Sequence, residues 1–188
     1  MNVSAHVGFR RSTRVAAALI PLAALVACGG KPAGPSGGPG PTTRFSENGV
    51  TVTLSLSDWQ ASKGTLNAVF TPEAEGFHLY SMDLPPTGIE GVGRPTTVAV
   101  TGVLAAEGPL RTASTVRSIQ VPGVDTPVPV YPDGPVTTTL PVRASAHGEA
   151  TVLLGYASCS TRDGCTIPVS GRPVRVRVTR DGPAFATP

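Results

Sequence analysis

Residues 150–178 read ATVLLGYASCSTRDGCTIPVSGRPVRVRV, and they place Cys159 and Cys165 between two strand-like runs. The first run is apolar and ends at Tyr156, and in the second run valine alternates with arginine, as in a half-buried strand. Two strands joined by a loop that contains a cysteine pair would bring both sulfurs to one end of a β-sheet. We therefore expect a β scaffold that presents the two cysteines at its end.

The rest of the chain repeats the same β pattern in short segments. Valine and threonine recur throughout, and glycine and proline, at 22 and 20 of the 188 residues, separate the segments. Many short alternating segments with frequent turn signals predict an all-β fold, an antiparallel β-sandwich. The further strand candidates are residues 48–56, 64–70, 77–82, 96–100, 116–121 and 136–142.

Residues 1–27 have the pattern of a bacterial lipoprotein signal peptide. Several arginines precede an apolar stretch, residues 15–26, that is too short to span a bilayer comfortably. The sequence LVACG at residues 25–29 resembles the lipobox, which implies cleavage before Cys28 and lipidation of that cysteine. Acyl chains would hold the mature protein on the extracytoplasmic side of the cell membrane. The alternative is an ordinary cleaved signal with a cysteine there by chance.

Composition divides the mature chain into three parts. Residues 28–43 carry the lipidated cysteine and are then mostly glycine and proline with little to pack, so we expect a flexible tether. We expect the folded domain at residues 44–180 and a frayed tail at residues 181–188.

The charge of the chain indicates no nucleic-acid partner. The net charge is +3, but Arg10, Arg11 and Arg14 lie in the predicted signal peptide, and without them twelve basic residues face twelve acidic ones. No basic face interleaved with aromatic residues occurs in the sequence. No close spacing of His, Cys, Asp and Glu predicts a metal site, and nothing predicts a cofactor. His78 is expected to be a structural residue in a strand, and His147 to lie in an exposed turn.

The spacing of Cys159 and Cys165 fits two roles. A redox-active pair exchanges disulfides because one thiolate attacks a disulfide and the second thiol resolves the mixed intermediate. Five intervening residues let the loop fold back far enough for a bridge, and Arg162 would favour a thiolate while Asp163 offsets it. A structural staple is the alternative, although closing so short a loop would stabilise the fold by only about 2 kcal/mol. The spacing alone leaves both roles open.

The cysteines belong to a longer pattern. Tyr156 is followed by two residues and Cys159, and then by five residues, Cys165 and, shortly after, Pro168. Upstream, GFHLY at residues 76–80 combines a glycine and an aromatic residue with Leu and Tyr. In this order the motifs resemble those of the amino-terminal periplasmic domain of the thiol:disulfide interchange protein DsbD. The segments YPD at residues 131–133 and TLPV at residues 139–142 precede the cysteine strand and are similar to that family as well.

The resemblance implies an immunoglobulin-like sandwich whose cysteine pair takes electrons from a membrane reductase and passes them to extracytoplasmic thiol proteins. It also implies a loop that caps the pair. The candidate cap here is residues 126–131, with Tyr131 in place of the family's aromatic cap residue, and Tyr156, Arg162 and Pro168 are the expected neighbours. This sequence contains no membrane-spanning or thioredoxin-like part, so we expect a separate electron donor, a membrane thiol reductase of the DsbD/CcdA type.

Three functions follow from these patterns. The first is a lipid-anchored thiol–disulfide relay, a thiol:disulfide oxidoreductase that serves extracytoplasmic thioredoxin-like or thiol client proteins through Cys159 and Cys165. The second is a non-enzymatic binding module in which the same fold carries a structural disulfide. The third is a structural lipoprotein of the cell envelope. The reduction potential of the pair separates the first two, since structural disulfides typically lie below about −300 mV.

Overall fold

The computed structural model describes residues 40–186 of the chain. The predicted signal peptide, Cys28 and most of the predicted tether lie outside these residues, so the roles expected of them stay predictions. Residues 40–186 form strands, turns and loops, and they contain no helix that is long and apolar enough to cross a membrane.

Fifteen strands occur in the part of the chain that the structure describes. They are β1 (Thr42–Glu47), β2 (Val50–Gln60), β3 (Lys63–Pro72), β4 (His78–Leu79), β5 (Thr97–Gly102), β6 (Leu104–Ala106), β7 (Arg111–Thr112), β8 (Arg117–Ile119), β9 (Val128–Val130), β10 (Val136–Ala144), β11 (Gly148–Tyr156), β12 (Ser158–Ser160), β13 (Gly164–Cys165), β14 (Val169–Thr179) and β15 (Gly182–Phe185).

Two larger sheets form the body of the domain. The first has the strand order β1-β2-β3-β10-β6, with β7 also paired to β10, and the second has the order β15-β14-β11-β5. All of these pairs are antiparallel. Along β10, for example, buried residues alternate with more exposed ones, because successive side chains of a strand point to opposite faces. Each sheet therefore has one face available for a core.

Residues from both larger sheets share one core. Leu54 and Phe70 from the first sheet and Val152, Leu154 and Val176 from the second are fully buried in the same cluster. Burying a side chain of this size contributes roughly 1.5–3 kcal/mol, so this shared core holds the two sheets face to face. The prediction of an all-β antiparallel β-sandwich is confirmed.

A small third sheet carries the cysteines. Its order is β13-β12-β4, and β12 begins two residues after β11 ends, so it continues the chain past the end of the second large sheet. A two-stranded sheet of β8 and β9 lies next to it through a bridge between Tyr80 and Val130. A second, smaller cluster of buried residues forms here, which we call the small cluster: Tyr80, Leu84, Val124, Val128, Val130, Ala157 and Cys159.

The prediction that residues 181–188 form a frayed tail is wrong for most of that segment, because Gly182–Phe185 form β15. β15 pairs with β14, so that Val176 lies opposite Phe185 and Val178 opposite Pro183, and Pro183 is buried. The Gly-Pro pair at its start suggested a chain end, but an outer strand tolerates proline because one of its edges needs no hydrogen-bond donor. At the other end β1 begins at Thr42, inside the predicted tether.

Candidate functional site

Cys159 and Cys165 form a disulfide bond inside one tight hairpin. β12 and β13 pair so that the two cysteines lie directly opposite each other, with their Cα atoms 4.0 Å apart. The Ser160 hydroxyl oxygen accepts hydrogen bonds from the backbone N–H groups of Arg162 and Asp163 and so holds the turn between them. The predicted pairing is confirmed, and the predicted loop is itself a short two-stranded hairpin.

The two bonded cysteines differ in their exposure. Cys159 is only 4% exposed and belongs to the small cluster, whereas Cys165 is exposed. A thiol from another protein would therefore meet Cys165 first, because the neighbours of Cys159 cover it. In such an attack Cys159 would be the sulfur that is released.

The hydroxyl group of Tyr80 contacts both sulfurs. It lies 2.9 Å from Cys159 Sγ and 3.7 Å from Cys165 Sγ. The hydroxyl is the donor, because neither sulfur of a disulfide carries a hydrogen. Tyr80 is 2% exposed, and this burial raises the pKa of its phenol, which keeps it protonated at neutral pH. A hydrogen-bond donor is thus fixed beside the sulfur that an attack on Cys165 would release.

A cleft of about 240 Å³ opens beside the disulfide. Both cysteines and Tyr80 line it, together with Pro168 and residues 91–94. The last group belongs to a connection between β4 and β5, and we call residues 88–94 the 88–94 loop. This loop, rather than a segment near Tyr131, faces the cysteine pair across the cleft.

The tip of the 88–94 loop is a tight hairpin turn. Ile89 and Val92 exchange two backbone hydrogen bonds of 3.0 and 2.9 Å. Between them Glu90 and Gly91 have φ values of 52° and 85°, and positive φ at both central residues is typical of a type I′ turn. The turn therefore has one well-defined backbone conformation.

Side chains fasten this turn on two sides. The Glu90 carboxylate accepts hydrogen bonds from the backbone N–H groups of Asp125 and Thr126, at 3.1 and 3.2 Å. The Arg94 guanidinium donates to three carbonyl groups of the same region, including that of Gly91 at 3.1 Å. The loop is thus held to the segment that precedes β9 and is closed on itself.

Gly93 brings the 88–94 loop into contact with Tyr80. A Cβ atom on Gly93 would lie 2.6 Å from Cε1 of the Tyr80 ring and 2.8 Å from a methyl group of Leu84, and its φ is +81°. Only glycine fits this position without a shift, because both the space and the backbone conformation exclude a side chain. The ring that contacts the disulfide is therefore also the surface on which the loop rests.

Tyr131 is not the cap that the sequence suggested. It is fully buried in the main core, and its hydroxyl accepts a hydrogen bond from the backbone N–H of Met82 at 3.1 Å. The reason is the alternation along β9, which directs Val128 and Val130 into the small cluster and Tyr131 to the opposite side. Part of the predicted cap, residues 126–131, thus packs beneath the site instead of covering it.

The other expected neighbours of the cysteines lie at different depths. Tyr156 is buried in the main core against Phe70, with ring centroids 5.5 Å apart, and does not line the cleft. Its burial, with a smaller contribution from Glu47, raises the pKa of Tyr156 to about 12. Arg162 is exposed in the turn of the cysteine hairpin, and Pro168 is exposed at the edge of the cleft. Of these three, Pro168 lines the site.

His78 is a neighbour of the disulfide that the sequence analysis treated as structural only. It lies opposite Cys159 in the pairing of β4 with β12 and is 2% exposed. Its Nδ1 is 3.5 Å from an Asp133 carboxylate oxygen, which Arg117 also contacts. Burial lowers the pKa of His78, the Asp133 charge opposes this shift, and the Arg117 charge adds to it. The GFHLY motif could have indicated this position, because residues two apart in a strand share one face, so that His78 lies on the same face as Tyr80.

Cys28, the predicted lipidation site, lies outside the residues that the structure describes. Among residues 40–186 no group of three or more His, Cys, Asp and Glu side chains is arranged to hold a metal ion.

No family model matches the chain, and no curated protein matches it. Among solved structures, the fold is similar to the crystal structure of the N-terminal domain of DsbD from Neisseria meningitidis in the reduced form. The two sequences are 14% identical, the TM-score is 0.45, and the match covers 73% of this chain and 90% of that one. The function proposed for this chain rests on the geometry of its own site.

Proposed function

We propose that this chain is a thiol–disulfide relay domain that a lipid on Cys28 holds on the extracytoplasmic side of the cell membrane. It takes electrons from a membrane thiol reductase of the DsbD/CcdA type and passes them to thioredoxin-like or other thiol client proteins through Cys159 and Cys165. The observation that carries the proposal is the unequal burial of the two bonded cysteines. A disulfide that only stabilises a fold needs neither an exposed sulfur nor a hydrogen-bond donor beside its partner.

Electrons enter by attack on Cys165. A donor thiolate forms a new S–S bond with Cys165 Sγ, the bond to Cys159 breaks, and Cys159 leaves with the electron pair as a thiolate. The Tyr80 hydroxyl, 2.9 Å from that sulfur, stabilises the charge by a hydrogen bond. The second thiol of the donor then forms the donor's own disulfide and releases Cys165. The domain gains two electrons, and the two thiol protons of the donor end on Cys159 and Cys165.

Electrons leave by the reverse order of events. The Cys165 thiolate attacks a client disulfide, one client sulfur leaves as a thiolate, and a mixed disulfide remains. Cys159 then attacks Cys165 Sγ, the internal disulfide forms again, and the second client sulfur is released. The client is reduced by two electrons, and the domain is ready for the next donor.

The position of the disulfide lets the domain change redox state without unfolding. The bond joins neighbouring strands of one hairpin rather than the two large sheets, and its cysteines are six positions apart. Closing so short a loop contributes only about 2 kcal/mol, so the main core would hold the fold when the bond is reduced. Repeated reduction and oxidation are compatible with this arrangement.

Trapping of mixed disulfides tests the proposal. In the Cys159→Ser variant the exposed Cys165 remains but nothing can resolve an intermediate, so we expect a stable mixed disulfide with an oxidised thioredoxin-like protein. The Cys165→Ser variant is the matched control, because its remaining cysteine is covered, and it should trap little. Nonreducing electrophoresis followed by mass spectrometry measures both products.

Two outcomes would contradict the relay. If neither variant forms a mixed disulfide, or if both form it equally, the unequal burial has no chemical role. If in addition the wild-type disulfide is never reduced faster than the domain unfolds globally, it is a staple, and the binding module becomes the better description.

A further inference from the structure

His78, Cys159 and Cys165 form a row across the small sheet. Cys159 lies opposite His78 on one side and opposite Cys165 on the other. Residues directly opposite each other in antiparallel strands direct their side chains to the same face, with Cβ atoms about 5 Å apart. The imidazole of His78 is therefore a direct neighbour of the buried cysteine, on the side away from Cys165.

The two ring nitrogens of His78 have different surroundings. Nδ1 faces Asp133, whose carboxylate lies 3.5 Å away and forms an ion pair of 2.5 Å with Arg117. Nε2 is buried and has no hydrogen-bond partner among residues 40–186, and it is the one side-chain nitrogen or oxygen atom there in this condition. Buried polar atoms without a partner are rare and costly, so this atom calls for an explanation.

We propose that His78 is the base that takes the proton from the Cys159 thiol when the reduced domain resolves a mixed disulfide. This inference rests on the proposed relay function and names a further residue of that site. Carboxylate, imidazole and thiol stand in the order found where a base activates a nucleophile and a third group orients the base. The Asp133 carboxylate, 3.5 Å from Nδ1, favours the tautomer with its proton on that nitrogen, and Nε2 then has the lone pair that can accept a proton.

The step begins with Cys165 bonded to a client sulfur and Cys159 as a thiol. The Cys159 proton passes to His78 Nε2, and the Cys159 thiolate attacks Cys165 Sγ. The bond between the two cysteines forms, the bond from Cys165 to the client breaks, and the client sulfur leaves with the electron pair. The imidazolium then gives its proton to water or to the released client thiolate.

A base is required because Cys159 is covered by apolar neighbours, and burial of this kind disfavours the thiolate. The groups that face His78 are Asp133, Arg117, Tyr80 and Cys159 itself. Tyr80 cannot serve as the base, because its raised pKa keeps it protonated. The lowered pKa of His78 keeps its ring neutral at pH 7, and the thiolate that forms beside it stabilises the imidazolium.

A small aromatic disulfide, dithiobis(nitrobenzoate), tests the step without a protein partner. Reduced wild-type protein should release two thionitrobenzoate ions, the first when Cys165 attacks and the second when Cys159 resolves. In His78→Gln we expect the second release to slow about tenfold at pH 7 while the first is unchanged, since general-base catalysis is lost. His147→Gln is the matched control, because His147 is exposed in a turn, and it should behave as wild type.

The pH profile separates a base from a structural role. The second release should level off in wild type once His78 is neutral, but in His78→Gln it should keep rising with pH towards the ordinary thiol range. Asp133→Asn keeps the imidazole and should slow the second release by a smaller factor. This variant keeps the test decisive if His78→Gln does not fold. Unchanged second release in both variants, or equal slowing of both releases, would overturn the proposal. If the second release is slowed in His78→Gln but the wild-type domain exchanges no disulfide with thioredoxin-like proteins, the role of His78 is supported and the relay function is contradicted.

Discussion

The Tyr80 side chain joins the disulfide to the loop that faces it. Its hydroxyl touches both sulfurs, and its ring edge lies where a side chain on Gly93 would have to go. A movement of this ring would therefore change both the polarity beside Cys159 and the seat of the 88–94 loop. A substitution of Tyr80 should therefore have a direct effect on the rate at which the disulfide is reduced.

Tyr80→Phe keeps the ring and removes only the hydroxyl. We expect reduction of the disulfide by a small thiol to slow about tenfold, because a hydrogen bond to a charged group is typically worth 1.5–3 kcal/mol and only part of the thiolate charge has formed in the transition state. Tyr131→Phe is the control, since its hydroxyl binds the Met82 backbone in the main core and should affect stability but not the rate. Equal rates for Tyr80→Phe and wild type would show that the contact is passive.

Sequence could assign the cysteines but not the tyrosine beside them. The spacing of Cys159 and Cys165 was sufficient for their pairing, because five residues close a hairpin. Tyr131 was the expected cap because the family resemblance implies an aromatic residue in a capping loop, but residues 128–130 form a short strand and the alternation directs Tyr131 inward. Tyr80 reaches the sulfurs through a contact between positions 79 residues apart, which local pattern does not reveal.

The 88–94 loop is an element that is ordered without belonging to a sheet. Its type I′ turn, the Glu90 carboxylate on the Asp125 and Thr126 amides, and the Arg94 guanidinium on nearby carbonyls together fix its place. Such an element can restrict which molecules reach the disulfide while leaving Cys165 exposed. Its contact with Tyr80 at Gly93 is the part of this arrangement that a single substitution can break.

Gly93→Ala and Gly91→Ala form a matched pair for this element. Both positions have positive φ, so each alanine should cost about 1–2 kcal/mol of stability from backbone strain. Only at Gly93 does the new Cβ meet the Tyr80 ring, at 2.6 Å, whereas at Gly91 nothing lies within 4 Å. We expect Gly93→Ala alone to speed reduction of the disulfide by a small thiol and, in the reduced domain, alkylation of the two thiols, both measured by stopped-flow mixing. Similar rates in the two variants would mean that the loop does not control access.

Most strands were predictable, but their lengths were not. Each of the eight segments with clear β pattern overlaps a strand; residues 64–70 and 136–142 lie on β3 and β10, whereas residues 77–82 contain only the two-residue β4. β7 and β13 also have two residues each and were not predicted, because two residues are too few for alternation to be recognised. β15 was missed because Gly182 and Pro183 read as a chain end, although pairing with β14 holds them in the sheet.

On the scale of the whole molecule, the domain has a large core that keeps its shape and a small cluster that contains its chemistry. The large core draws on both main sheets and contains neither cysteine, whereas Cys159 belongs to the small cluster with Tyr80. We therefore expect reduction of the disulfide to change one end of the domain and to leave the large core in place. This division fits the proposed relay, in which the domain would meet a membrane donor and a soluble client in turn.

Membrane attachment is the property of the whole chain that the proposed relay requires. Cys28→Ser removes the thiol that the lipobox predicts to be acylated, so we expect the protein to leave the membrane fraction or to keep its signal peptide. Fractionation and mass spectrometry of the amino terminus measure both outcomes, and Cys159→Ser should remain in the membrane fraction. A Cys28→Ser protein with normal processing and normal membrane retention would contradict the anchor.

The hairpin that holds the disulfide also affects how a new chain would mature after the proposed export. Cys159 and Cys165 become neighbours as soon as β12 and β13 pair, and no distant segment has to arrive first. With Cys28 acylated as proposed, no third thiol remains to compete, so the correct pairing needs no shuffling by an isomerase. Because the large core contains neither cysteine, we expect the chain to fold while both thiols are still reduced. The newly folded domain would then already carry the two electrons that a client disulfide needs.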